Sequence, residues 1–429
     1  MRKRYAYVLG IIFIILIITY LGLKTAANTW LRNAFGPQLY AQMNEFFNNP
    51  VDLPDEYFQN RTAEPAALEA GKNIDALYEK YQISQFDLNP FESIRENKPL
   101  TDEEKQKLNR DLQNAKPFLD ALLPFSARPD YEMGAWALYE NGVLPNFQTM
   151  QISAKCLLLR AHASAEAGRW REAFENALAV HRLSKRHPAS YLITHLVAIA
   201  MQNMASHAVM TYAPSCADAD ALQTALSEMN RLDQDINLSM LEKGLIIDFI
   251  VELSRFQQED PSIDLTPGRK GRYYFRQYMD HILSKQVDGS LYDNSPPAWM
   301  IKLARSLGFR RQVDQLFYGI STPNIQNAVV REKTAVSKYH IAQITLASRL
   351  YEIKTGNPPA RLADLAPDYL NRRPVDPFAD HETGSDYRFQ PARKIFYGLG
   401  PDGADNQSQI LYDPSNGTMS AGDIFSERQ

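Results

Sequence analysis

The sequence predicts a mainly α protein with a C-terminal α+β module. Its parts are an N-terminal transmembrane helix, an irregular α-hairpin bundle, and a long helix on a small antiparallel sheet. Three observations predict this. A basic cluster precedes an uncharged apolar run from Tyr5 to Leu23. The middle carries apolar stripes at helical spacing, broken by glycine and proline. The last fifth switches to short alternating runs separated by Gly-, Pro- and Asp-rich loops.

Arg2-Lys-Arg4 and the run after it set the location. At 1.5 Å per residue, about 19 residues reach roughly 28 Å, close to the thickness of a hydrocarbon core. The leading cations predict a cytoplasmic N-terminus and an exported remainder, as expected for a bacterial inner-membrane protein with one span. The competing reading is a cleaved signal peptide, with Lys24-Thr-Ala-Ala-Asn28 as a weak cleavage site. No lipidation cysteine follows the span.

The chain divides into an anchor (1–24), a helical stalk and irregular helical region (25–147), an α-hairpin domain (148–258), a connector (259–330) and a terminal α+β domain (331–429). Thr25 to Phe47 reads as a helical extension, stopped by Asn48-Asn-Pro-Val-Asp-Leu-Pro54. Ala66 to Tyr81 is predicted helical and Asn89 to Lys98 irregular. Thr101-Asp-Glu-Glu104 is a capping-box start: a threonine oxygen and a glutamate three residues on each satisfy a free backbone N–H. That helix is expected to end near Leu123, before Pro124.

From Gln148 the pattern is wholly helical. Ile152, Cys156, Leu159 and Ala163 form one stripe, and Gly168-Arg-Trp170 turns the chain into a helix carrying Phe174, Ala177, Leu178 and Val180. This hairpin weakly resembles a tetratricopeptide unit at its turn. Tyr191–Met210 and Ala217–Met229 read as a second pair and Leu238–Phe256 as a further helix, stacked because no hairpin can bury its stripe alone. Arg269 to Arg276 mixes cations and aromatics, read as aromatics in a core with arginine heads reaching water, with contact to an anionic surface as the alternative.

Arg331 to Ile353 has apolar residues at Val336, Tyr339, Ala342, Leu346, Leu350 and Ile353, and Lys354-Thr-Gly-Asn-Pro-Pro359 stops it. A short helix at Leu362–Tyr369, an extended Arg373–Phe378, and strands at Asp386–Gln390 and Lys394–Tyr397 follow.

The chain has 429 residues, 45% hydrophobic and 22% charged, enough for two or three cores. A net charge of −4 is too small to argue for nucleic acid or for an acidic partner, and no nucleic acid is expected. The two cysteines, Cys156 and Cys216, are either joined after export or two buried thiols. Zinc spacings, a nucleophile elbow and a phosphate loop are absent. His162, His181, His187, His195 and His207 are read as exposed or core-edge residues of the helical block.

The words of the last segment carry a resemblance. Leu350-Tyr-Glu-Ile-Lys-Thr-Gly-Asn-Pro358, Leu362-Ala-Asp-Leu365, Pro374-Val-Asp-Pro-Phe378, Tyr387-Arg-Phe389, Tyr397-Gly-Leu-Gly-Pro-Asp-Gly403 and Gly422-Asp-Ile424 together resemble the globular domain of the type II secretion major pseudopilin. The likeness covers about 331–425. It implies a Ca2+ ion bound between the last strand and the tail, held by the carbonyl of Leu399 and the carboxylates of Asp402 and Asp423, with Asp405 and Asp413 as further candidates. Calcium takes about six to eight oxygen ligands, which such a loop can supply. An ordinary Asp-Gly turn is the other reading of the same residues. The chain departs from a fibre subunit at its start: Gly10 precedes Ile11-Ile-Phe-Ile-Ile15 with no glutamate.

Together these readings predict a non-catalytic, membrane-anchored envelope protein. It would offer a helical surface to a protein partner, carry a pseudopilin-like head, and serve secretion or envelope assembly. The alternative is an exported hydrolase, with a carboxylate- or histidine-based site between the helical domain and the head.

Overall fold

The computed structural model describes residues 19–29, 32–33, 65–95, 98–128, 147–185, 192–233, 310–379 and 386–426. The chain separates into two compact units, one of Met1–Gln59 with Asp248–Gln326 and one of Asn60–Ile247 with Asn327–Gln429. In the first, residues 19–29, 32–33 and 310–326 are helical. Among the described residues no helix is long and apolar enough to cross a membrane. Most of the predicted span lies outside the described residues, as do the predicted Leu238–Phe256 helix and the Arg269–Arg276 run.

The second unit is mainly helical, with a small antiparallel sheet near its C-terminal end. It opens with α1 (Pro65–Lys80) and α2 (Asn89–Arg95). The second of these corrects the expectation of an irregular segment: Asp87 Oδ1 accepts the Asn89 N–H at 3.0 Å, and Pro90 and Phe91 are buried. Next, α3 (Asp102–Ala127) starts at the predicted capping box, with Glu104 N donating to Thr101 Oγ1 and Thr101 N donating to Glu104 Oε2. It does not stop at Pro124. Both Pro117 and Pro124 lie inside it, and burial of Phe125 and Ser126 carries it to Ala127. Ser126 Oγ donates to the Leu123 carbonyl at 2.7 Å and accepts from Arg182 Nε at 3.1 Å, so tertiary contacts outweigh the lost backbone bond.

The hairpin of α4 (Phe147–Glu166) and α5 (Trp170–Lys185) turns at Gly168, whose φ of +72° suits a residue without a Cβ. The predicted stripe is real: Ile152, Cys156 and Leu159 are buried. The second pair is α6 (Leu192–Tyr212) and α7 (Ala219–Asp233), joined through a 3-10 turn at Ala213–Ser215. Buried Arg160 reaches Asp120 at 2.8 Å, and Arg182 reaches Glu228 at 3.3 Å, tying α4 to α3 and α5 to α7. Cys156 and Cys216 are buried free thiols, so the disulfide alternative is not formed.

The last helix, α8 (Arg310–Thr355), begins well before the expected Arg331. It ends at the predicted stop, where Gly356 takes a φ of +77°. Its apolar stripe is buried except Ile353. Ala335, Ile341, Ile344 and Ala347 are buried as well, so this stretch is enclosed on nearly every side. In place of the short helix predicted at Leu362–Tyr369 there is a 3-10 turn at Leu362–Asp364, followed by turns.

The sheet runs β1 (Arg388–Gln390), β2 (Ile395–Gly398), β3 (Ile424–Phe425), antiparallel throughout. The pairs Phe389↔Phe396 and Gly398↔Ile424 set the register. The chain tail thus supplies the third strand. One hydrophobic cluster runs from Tyr78 through the hairpins to Tyr339, Leu350, Phe396 and Ile424. The terminal module therefore shares its core with the helical hairpins.

Candidate functional site

The five predicted calcium positions do not act as one set. Asp423 is fully buried at the end of the sheet, and its carboxylate accepts the N–H of Ser408 at 2.7 Å and of Asn406 at 3.3 Å. Burial raises its pKa, those N–H bonds oppose the rise, and the nearby charges of Asp405 and Asp402 add to it. Asp405 accepts from Tyr397 Oη at 3.2 Å and Gln407 N at 2.8 Å, and pairs with Arg388 at 3.2 Å. Asp402 caps its own turn through Ala404 N. Asp413 stands apart and acts on Lys338. Leu399 donates its N–H to Asp376 at 2.7 Å. Asp423 therefore feels the charges of both Asp405 and Asp402. Among the described residues no group of three or more His, Cys, Asp or Glu side chains has the geometry to hold an ion.

Asp376 was legible as part of a motif but not as a structural acid. It lies between two prolines, is buried, and accepts from Leu399 N at 2.7 Å and from Phe378 N at 3.0 Å. It anchors the glycine-rich loop to the extended segment before the sheet. Burial raises its pKa, and the two backbone donors oppose the rise.

Of the five histidines of the helical block, His162 and His207 are half-buried as expected, His187 lies outside the described residues, and two depart from expectation. His181 and His195 are buried rather than at a core edge. His181 meets the ring of Tyr339 edge-on, with centroids 5.1 Å apart. Burial pushes His195 down to about 4. A third buried histidine, His340 on α8, was not singled out by sequence. Its Nδ1 is 3.0 Å from Tyr387 Oη, which lies 3.5 Å from Ser337 Oγ, and its Nε2 faces Asp233 Oδ1 at 3.5 Å. Asp–His–Tyr–Ser chains are a shape that catalysis uses, but all four residues here are buried. The chain ties α7 and α8 to the start of the sheet.

The cleft that does open to solvent has a volume of about 390 Å³. Its lining includes Arg95 from α2, His207 and Met210 from α6, Lys338, Arg349 and Glu352 from α8, and Tyr412 and Phe425 from the terminal loops. Arg349 is already engaged, donating to the Cys216 carbonyl at 3.0 Å and to Glu352 at 2.8 Å. Arg95 pairs with Glu92 at 2.8 Å, yet its side chain is 58% exposed. Among the described residues Lys338 has no hydrogen bond or ion pair. Burial lowers its pKa, and Asp413 opposes that. Burial, with help from Lys338 and Arg95, brings His207 to about 4, so its ring is neutral near pH 7. The sequence did carry one signal for this site. Lys338 is the one lysine or arginine between Thr334 and Ile344, where the neighbours other than His340 and Gln343 are apolar or small.

No family model, curated protein or solved structure matches the chain.

Proposed function

We propose that this chain is a non-catalytic, membrane-anchored envelope protein. Its hairpins and its pseudopilin-like head form one platform for a protein partner, in secretion or envelope assembly. The observation that supports this best is the shared core. A head that buries α8 among α6 and α7 is held rigidly to the helical block, and rigid surfaces lose little freedom on binding. Tyr339 Oη donating to the Met229 carbonyl at 2.6 Å, Gln343 Nε2 to Asn230 Oδ1 at 2.6 Å and Ser426 Oγ to the Met210 carbonyl at 3.0 Å fix the same junction. The apolar run Tyr5–Leu23 supports the anchor. The experiment is affinity capture from detergent-solubilised envelope at near-native expression. A specific partner is expected for the wild type. Recovery of no partner counts against the reading.

The head is further proposed to hold Ca2+ at Asp402, Asp405 and Asp423 with the Leu399 carbonyl. What supports this is the repulsion of Asp423 by Asp405 and Asp402, which a cation would relieve. Arg388 on Asp405 competes with an ion there. The sample must be the full chain, because α8 is buried by the hairpins. Removing calcium with a chelator is expected to lower the melting temperature, and adding excess calcium to restore it. An unchanged melt after calcium is returned rejects the ion.

The hydrolase reading keeps one observation in its favour: a neutral histidine, His207, lines an open cleft beside a lysine. Ester or glycoside cleavage that disappears on His207→Ala would replace the binding reading with this one.

A further inference from the structure

The cleft contains more positive charge than it neutralises. Arg95, Lys338 and Arg349 line it against one lining carboxylate, Glu352, and that carboxylate belongs to Arg349. Asp413 lies outside the lining but near enough to act on Lys338. Glu92 holds Arg95 from the solvent side. His207 adds a neutral ring with one N–H to donate. The unsatisfied group is Lys338: it projects from a helix enclosed on nearly every side, and no carboxylate reaches it. The side chain is half-buried in the cleft wall, so an ammonium with no ion pair among the described residues is available there to an anion that enters the cleft. Met210, Pro214, Ile424 and Phe425 add apolar patches to the wall, and Thr211, Ser215 and Ser426 add hydroxyls.

We propose that this cleft binds a small oxyanion-bearing ligand, its phosphoryl or carboxylate head on Lys338 and Arg95 and its apolar body against Met210 and Phe425. A volume of about 390 Å³ suits a small molecule. The ammonium contributes a point charge, the Arg95 guanidinium a fork of donors, and His207 a further N–H. This ligand class rests on reading the cleft as a binding site rather than a catalytic one, and it is separate from the protein partner of the platform.

The test is isothermal titration of the full chain in detergent with two probes, inorganic phosphate and succinate, each against chloride at equal ionic strength. One probe is expected to bind with an affinity that falls as salt is raised. The probe that binds tells a phosphoryl head from a carboxylate head. Lys338→Met is expected to weaken binding about tenfold or more, the scale of one charge-assisted contact. Arg95→Gln is the second variant. Its side chain is largely in water, so the fold does not depend on it, and a weakening of several-fold is expected. The proposal is overturned if neither probe binds above the chloride control. It is equally overturned if both variants bind as the wild type does. Slow, His207-dependent turnover of a phosphate ester with binding intact would overturn the non-catalytic reading and leave the oxyanion site standing.

Discussion

Gly400→Ala is expected to destabilise the terminal module by about 3 kcal/mol or more, the upper end of what a forced overlap in a packed site costs. A Cβ at this position would stand 1.8 Å from the Gly422 carbonyl oxygen. The obstacle is backbone, so no side-chain rotation relieves it. Nor can Gly422 retreat. Its φ is +131°, and its own missing Cβ would meet Tyr412 N at 2.7 Å. The flanking bonds from Tyr412 N to Asp423 O at 2.9 Å and from Asp423 N to Ile410 O at 2.8 Å clamp the segment on both sides. The two glycines lie where β2 leaves the sheet and β3 enters it, so pushing them apart unpairs Gly398 from Ile424. Gly403→Ala is the control. Gly403 also has a positive φ, +67°, but nothing lies within 4 Å of its Cβ position. Its cost is backbone strain alone, about 1 kcal/mol. Denaturant unfolding of the two variants measures the difference. Equal stabilities would mean that the close approach of the two loops does not hold this module together.

What could be read from the sequence was local. The capping box at Thr101, the turn at Gly168 and the stop after Thr355 each depend on residues within about one turn, and each is where it was expected. Signals that needed a partner far along the chain misled or stayed silent. Pro124 reads as a terminator, yet Arg182, 58 residues later, helps to hold the turn that follows it. His181 and His195 read as polar and therefore peripheral, yet the hairpin packing encloses them. The cleft draws on α2, α6 and α8, whose contributing side chains Arg95, His207 and Lys338 share no motif. The resemblance to a pseudopilin head drew attention to the acids at 402–423. It did not show that Asp376, inside Pro374-Val-Asp-Pro-Phe378, holds the loop's backbone at Leu399.

The same long-range junction gives the second large effect. Asp233→Asn is expected to cost about 2 kcal/mol near neutral pH and only a small part of that near pH 2. Asp233 ends α7 and is only 5% exposed. Arg372 Nε donates to its Oδ2 at 2.8 Å, and Arg372 Nη2 reaches its carbonyl at 3.3 Å. His340 at 3.5 Å is too long for a close hydrogen bond, so Arg372 is the firmer partner. Burial alone would raise the carboxyl pKa. The contacts of His340 and Arg372 outweigh it and bring the folded value to about 2, from 3.8. A depressed folded pKa contributes stability above the unfolded pKa, and that stability is lost as pH falls through the folded one. The drop, at 1.36 kcal/mol per pKa unit, corresponds to about 2 kcal/mol, spread over the window from about pH 5 down to about pH 1. Wild type and Asp233→Asn should therefore differ at pH 7 and converge as the carboxyl protonates. Urea unfolding of both across that range checks it. A gap that persists unchanged at pH 2 would show that Asp233 acts through shape and packing, and that its charge is not what binds the Arg372 turn to α7.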